Sequence, residues 1–227
     1  MIKLVSRFTD EPIKDPNYIK IAASIKAYGT LKSFCTVWQT GATLICKIDG
    51  HVTLYGDDFD SEEVKKFLGA IGAGGISCSV SAAEKLGFAY RTVNVLECCK
   101  GIGAAVDFAP STDEIYNILS LGTDGDIILP ERTAFIADLS HRIRHGTALA
   151  ATYKGTVCVA PYVIDGAALI CGVCAGENRG GGFAGVCVSA MVHRLARPTL
   201  VLCSDELVGF YKKFGFVKTS ENAEIEF

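Results

Sequence analysis

Two stretches of this chain carry the same succession of elements, and that repetition constrains the fold more than any other feature. In the first, apolar runs at Ala42 to Ile48 and Val52 to Tyr55 precede a helix candidate from Ser61 to Ala70. The short run Gly75 to Ser81 follows, and then Glu84-Lys85-Leu86-Gly87-Phe88. In the second, Ala167 to Ala175 precedes a helix candidate from Phe183 to Ala196. Leu200 to Ser204 follows, and then Lys212-Lys213-Phe214-Gly215-Phe216. Each reads as strand, helix, strand, short helix and a Gly-Phe turn. Such alternation builds layers of helices on a sheet. Its double occurrence predicts two related α/β units. The expected class is therefore mixed α/β, with a central mixed twisted sheet flanked by helices. The seam is expected near residues 100 to 112, which are rich in Gly and Pro. Ser111-Thr112-Asp113-Glu114 then opens a helix, because a Ser or Thr oxygen accepts the free amide hydrogens of a first turn. The predicted division is 1–105 and 106–227.

The second half is also legible locally. Glu131 to His145 reads as a helix with Phe135, Leu139 and Ile143 on one face, ended by Gly146. Thr147 to Tyr153 and Thr156 to Val163 read as strands joined by Lys154-Gly155. Ala167 to Ala175 is continuously apolar and is expected to be a central strand. A short helix from Asp205 to Lys213 and a final strand pair are expected to close the chain.

The net charge is −3, and no run of Lys or Arg stands out. Nucleic acid and anionic membrane surfaces are therefore excluded as main partners. No apolar run reaches the length of a membrane span, and the first ten residues lack a signal-peptide core. The ten cysteines are accordingly expected to be small buried thiols in the reducing cytoplasm rather than a disulfide framework.

Between the apolar run at 167–175 and the helix after it sits Glu177-Asn178-Arg179-Gly180-Gly181-Gly182-Phe183-Ala184. Three glycines let a ligand approach the backbone without meeting a Cβ. The helix behind them points free amides and its positive end at the loop, and Arg179 adds a fork of donors. Phosphate suits such a place. The nucleoside-triphosphate loop fails, because no Lys follows the glycines. The dinucleotide pattern matches Gly180, Gly182 and Gly185, with Asp205 twenty residues on. Against it, 42 residues after Gly185 are too few for the rest of a dinucleotide sheet.

Arg179, Gly182 and Ala184, as Arg-x-x-Gly-x-Ala, resemble the pyrophosphate-binding motif of the GCN5-related N-acetyltransferase (GNAT) family. Tyr211-Lys212-Lys213-Phe214-Gly215-Phe216 resembles the family's later Tyr-x-x-x-Gly-Phe signature. The resemblance covers roughly residues 112 to 227. It implies a GNAT acyl-CoA N-acyltransferase fold, with 106–227 as the acetyltransferase domain. The unit at 1–105 would be a degenerate copy without a cofactor site, because five carboxylates between Asp57 and Glu63 would repel a pyrophosphate.

The resemblance also implies roles. Acetyl-CoA would be the cosubstrate, with no metal. A bulge near Gly172, Val173 and Cys174 would splay this strand from Leu200 to Cys203 and admit pantetheine. A backbone amide near Val173 or Cys174 would stabilise the oxyanion. Arg179, Gly180, Gly181, Gly182, Phe183 and Ala184 would hold the pyrophosphate. Tyr211 would protonate the leaving thiolate during direct attack by a primary amine in a ternary complex. Two positions depart from the family. Ser204 stands where Asn is frequent, and Gly176 where Pro is frequent. A hydroxyl at Ser204 still suits a cofactor contact, with shorter reach. Small-molecule and peptide amines both fit as acceptors, and the sequence assigns no oligomeric state.

No general base is marked. Glu131, Asp138, His141 and His145 lie on the helix expected to border the acceptor cleft. Cys171 and Cys174 are three apart on a strand, point to opposite faces and so belong to the core rather than to a metal or redox pair. The reading is thus an N-acetyltransferase. A non-catalytic acyl-CoA-binding or regulatory protein with a decayed site stays open, and so does a nucleotide-binding module.

Overall fold

The computed structural model of the protein describes residues 1–122 and 129–227. In chain order, β1 (Lys3–Leu4) leads to α1 (Pro16–Tyr28), and a meander of β2 (Cys35–Thr40), β3 (Thr43–Ile48) and β4 (His51–Tyr55) follows. Then come α2 (Ser61–Ala70), β5 (Gly75–Ser79), α3 (Val80–Leu86) and β6 (Arg91–Cys98). The second half begins with α4 (Thr112–Leu119) and α5 (Arg132–Arg144), then β7 (Leu149–Tyr153), β8 (Thr156–Ala160) and β9 (Tyr162–Val163). It ends with β10 (Ala168–Ile170), β11 (Gly172–Cys174), α6 (Phe183–Leu195), β12 (Thr199–Cys203), α7 (Asp205–Lys212) and β13 (Val217–Glu226).

Local chemistry sets most of these boundaries. Asp15 accepts from the amides of Asn17 and Tyr18 with Pro16 behind it, so α1 starts there. Ser111 accepts from the Glu114 amide and starts α4, and Glu131 caps α5 in the same way. Lys154 and Gly155 both take positive φ, the geometry of a two-residue hairpin turn between β7 and β8.

The same succession of elements occurs twice, as β4-α2-β5-α3-β6 and β10-α6-β12-α7-β13. In each, the first two strands are parallel neighbours across a helix. The units are not separate in space. Among the described residues one ten-stranded sheet runs β1-β2-β3-β4-β5-β13-β6-β12-β10-β9, and a second has the order β11-β8-β7. Each unit sends its last strand into the other. β13 lies between β5 and β6, and β6 lies between β13 and β12, all antiparallel. The hydrophobic core is continuous across this exchange. α1 packs Ile19, Ile21 and Ala22 on one face of the shared sheet, against Val95 and Leu200. α6 packs Val188, Met191 and Val192 on the other, against Leu96 and Val201.

Three local expectations are corrected. The apolar run at 167–175 is not one central strand. It breaks at Cys171 into β10, second from a sheet edge, and β11, in the other sheet. The chain ends in a single long strand rather than a strand pair, because β5 and β6 supply both partners of β13. On α5, Leu139 is buried and Phe135 packs beside it, but Ile143 is exposed, and Arg142 is the residue the last turn buries.

Candidate functional site

The break at Cys171 makes the site. Ile170 is the last residue of β10 to pair with β12, opposite Val201. The Cys171 amide donates to the Val159 carbonyl at 3.1 Å, while Gly172 is the register partner of the same Val159. Two residues thus face one, which is a bulge, and it turns β11 onto β8. Leu202 and Cys203 on β12 are left without a neighbour from β11. A cleft of about 510 Å³ opens between the two strands.

Of the residues singled out from sequence, Val173, Cys174, Arg179, Ala184, Ser204 and Tyr211 line this cleft. Gly180 to Phe183 form the loop at its rim, outside the lining. A Cβ on Gly172 would touch Leu119 and Val159, so that residue faces α4 rather than the cleft.

The rim loop is tied down from outside. Asn178 donates to the Lys154 carbonyl at 2.8 Å, and Lys154 lies over the Phe183 ring, 4.9 Å from its centre. Gly176 takes φ +53°, and a Cβ there would sit 2.5 Å from the Gly155 carbonyl oxygen. Proline, whose φ is fixed near −65°, cannot adopt that geometry, which accounts for the departure at this position. Gly182 is the N-cap of α6 in the left-handed region, and no side chain caps the helix. The first backbone bond at this end is Val186 to Gly182. The amides of the first turn therefore face the cleft rim. The start of α2 is the opposite case. Asp60 accepts from the Glu63 amide, and Glu62 and Glu63 fill the first turn. Gly185, the third glycine of the dinucleotide pattern, has a packing reason. A Cβ on it would lie 1.8 Å from Cζ of Phe214. Asp205 is likewise engaged, accepting from Asn94 at 2.8 Å at the start of α7.

Tyr211 lies on α7 and packs edge-on against Phe210 and Phe216. It is 5% exposed. Burial holds its phenol well above the ordinary tyrosine range, so it carries its proton at any physiological pH. Ser204 Oγ is buried with no hydrogen-bond partner among the described residues.

The four candidates on α5 lie elsewhere. Glu131 caps its own helix, Asp138 pairs with the buried Arg142, His141 bonds the Ala27 carbonyl, and His145 packs on His141. None is in the cleft lining, so α5 does not border it as expected. Three charged residues of the cleft were not marked by any motif. Lys20 comes from α1, Arg91 from β6 and Glu224 from β13.

A GCN5-related N-acetyltransferase from Kribbella flavida superposes on 92% of this chain and 94% of its own, at TM-score 0.58 and 15% identity. A GNAT-family acetyltransferase from Colwellia psychrerythraea covers 100% and 99%, at 0.54 and 13%. One described as a putative GNAT acetyltransferase, from Novosphingobium aromaticivorans, covers 95% and 97%, at 0.57 and 11%. The chain has the GNAT fold. No protein-family model matches the sequence, and no curated protein does. The GNAT likeness spans both halves of the chain. No helix among the described residues is long and apolar enough to cross a membrane.

Proposed function

We propose that the protein is an acetyl-CoA-dependent N-acetyltransferase that acts on a primary amine by direct attack in a ternary complex. The observation that carries this reading is the split between β11 and β12 beside the uncapped, glycine-lined start of α6. A split strand pair suits an extended pantetheine arm, which adds along a free strand edge. Uncapped helix amides suit its pyrophosphate. The orphaned Ser204 hydroxyl supports the fit, because a buried polar atom without a partner is costly unless a ligand satisfies it.

In this reading the amides of Gly180 to Ala184 and the side chain of Arg179 hold the pyrophosphate. The β11 backbone at Val173 and Cys174 orients the thioester carbonyl, and Ser204 binds the pantetheine arm. Acetyl-CoA, when bound, supplies an activated acyl group and a sulfur leaving group. Tyr211 holds a proton at its hydroxyl, at the cleft wall, for the departing sulfur. The unit at 1–105 is a related copy with no cofactor site of its own. Where α6 begins bare, the matching α2 is already capped by Asp60 and surrounded by acids. The same reading has the protein working in the cytoplasm, with its ten free cysteines reduced.

Calorimetry with acetyl-CoA tests this, with one site per chain expected and none for NAD. Thiol release with an amine panel follows. Tyr211→Phe should lower kcat by about 10²-fold or more with acetyl-CoA affinity unchanged. Full activity in that variant removes the acid role, and NAD binding in place of acetyl-CoA removes the whole reading.

A further inference from the structure

The cleft does not end at the sulfur side. On β6, beyond Asn94 where pairing with β12 ends, the lining continues to a polar end built by Lys20, Arg91 and Glu224. These residues come from α1 and from the two exchanged strands. Arg91 and Glu224 are direct cross-strand partners on β6 and β13. Beneath them lies a buried network of Asn17, Ser77 and Asn222, each at most 2% exposed.

The network orients Glu224. Lys20 Nζ donates to Ser77 Oγ at 2.8 Å, and Asn222 Nδ2 donates to it at 3.2 Å. Ser77 has one proton of its own to give. Its shortest acceptor is Oε1 of Glu224, at 2.9 Å, against 3.2 Å to Asn17. Lys20 lies 3.8 Å from the same Oε1. One carboxylate oxygen is thereby held, and the other has no hydrogen-bond partner among the described residues. The Arg91 guanidinium makes no hydrogen bond or ion pair among them either. Around the carboxylate stand Lys20 from α1, Arg91 from β6, His51 from β4, Cys78 from β5 and Cys171 at the bulge. Two cations and one fixed anion thus share the far end of a cleft whose near end suits a pantetheine thioester.

We propose that this end is the acceptor site and takes a primary amine that also carries an anionic group, carboxylate or phosphate. The free oxygen of Glu224 receives the ammonium and takes a proton from it, while Arg91 holds the anionic group. The N–H bond breaks, an O–H bond forms on Glu224, and nitrogen keeps the electron pair it needs for attack. The proton then leaves to water. Ser77 and Lys20 act as positioning residues. This inference rests on the acetyltransferase reading above.

The test is acetyl transfer to matched amines. Amino acids are compared with their methyl esters, and phosphoethanolamine with ethanolamine. In wild type the anionic member of at least one pair should be preferred about tenfold or more in kcat/KM, as expected for one charged contact. The preferred pair identifies carboxylate or phosphate. Arg91→Gln should erase that preference, bringing kcat/KM for the anionic member down to that for the neutral one. Glu224→Gln should lower kcat about 10²-fold or more and remove the acid-side limb of the kcat/KM profile. Glu224→Asp should restore part of both. Acetyl-CoA affinity, measured by calorimetry, should be unchanged in all three variants. The inference is overturned if acetyl-CoA binds and amines are acetylated while Glu224→Gln keeps the wild-type rate and profile. It is also overturned if neutral amines are equal or better substrates, or if acetyl-CoA binds and no amine of either set is acetylated. If Glu224→Gln loses acetyl-CoA binding through misfolding, the exposed Arg91→Gln decides alone. Failure of wild type to bind acetyl-CoA would overturn the parent reading instead.

Discussion

Replacing Ser204 with alanine should raise the stability of the ligand-free protein and weaken acetyl-CoA binding. The hydroxyl is buried without a partner. A desolvated hydroxyl in that state costs about 1–3 kcal/mol, so removing it should stabilise by about 1 kcal/mol. The opposing effect would be loss of an N-cap, since Ser204 begins α7, and Ser to Ala at a cap costs about 1 kcal/mol. That loss arises from a side-chain bond to a first-turn amide, and Ser204 makes none. The Leu207 amide bonds the Ser204 backbone carbonyl instead, at 3.1 Å, and alanine keeps that bond. For a chain of this size 1 kcal/mol corresponds to a rise in Tm of about 2–4 °C. With acetyl-CoA the hydroxyl gains a partner, and deleting a bond worth about 0.5–1.5 kcal/mol raises Kd roughly 2- to 12-fold. Differential scanning fluorimetry with and without acetyl-CoA reads both effects, and calorimetry gives Kd. A fall in the ligand-free Tm would show that the hydroxyl caps α7 in solution and would refute the stability argument. An unchanged Kd would refute its role in the cleft.

Two further outcomes follow from geometry. Gly176→Ala should destabilise by about 1–3 kcal/mol, because the residue takes a positive φ and its Cβ would press on the Gly155 carbonyl. Urea denaturation measures this, and a loss below about 0.5 kcal/mol would mean that the loop relaxes freely. Stability should also fall at high pH. Burial raises the phenols of Tyr28, Tyr162 and Tyr211 above their ordinary value, and that of Tyr18 to about 12. A group raised in the folded state contributes stability that is present below its unfolded pKa, near 10, and lost as pH climbs toward the folded one. The urea midpoint should therefore drop between pH 10 and 12, and a flat midpoint there would contradict the burial argument.

Local signals carried much of the fold. Ser111 opens a helix, Glu131 begins another, and Lys154-Gly155 turns a hairpin, because each depends on residues within a few positions of itself. The repeated strand-helix-strand pattern and the glycine loop were legible for the same reason. α6 begins uncapped because three glycines offer no side chain to cap it.

What the sequence by itself determined is therefore many of the elements, a strand-helix succession that occurs twice and a bare helix start suited to phosphate. Only the tertiary structure decided where the two units join. The partners of β6 and β13 lie more than a hundred residues away in part, and a period-two strand reads alike whichever neighbour it meets. That exchange gathers Lys20, Arg91 and Glu224 at the far end of the cleft, from places no motif connects. The break at Cys171 was hidden likewise. The apolar run is continuous on either side of it, and the split exists because β12 and β8 compete for one strand from two different sheets.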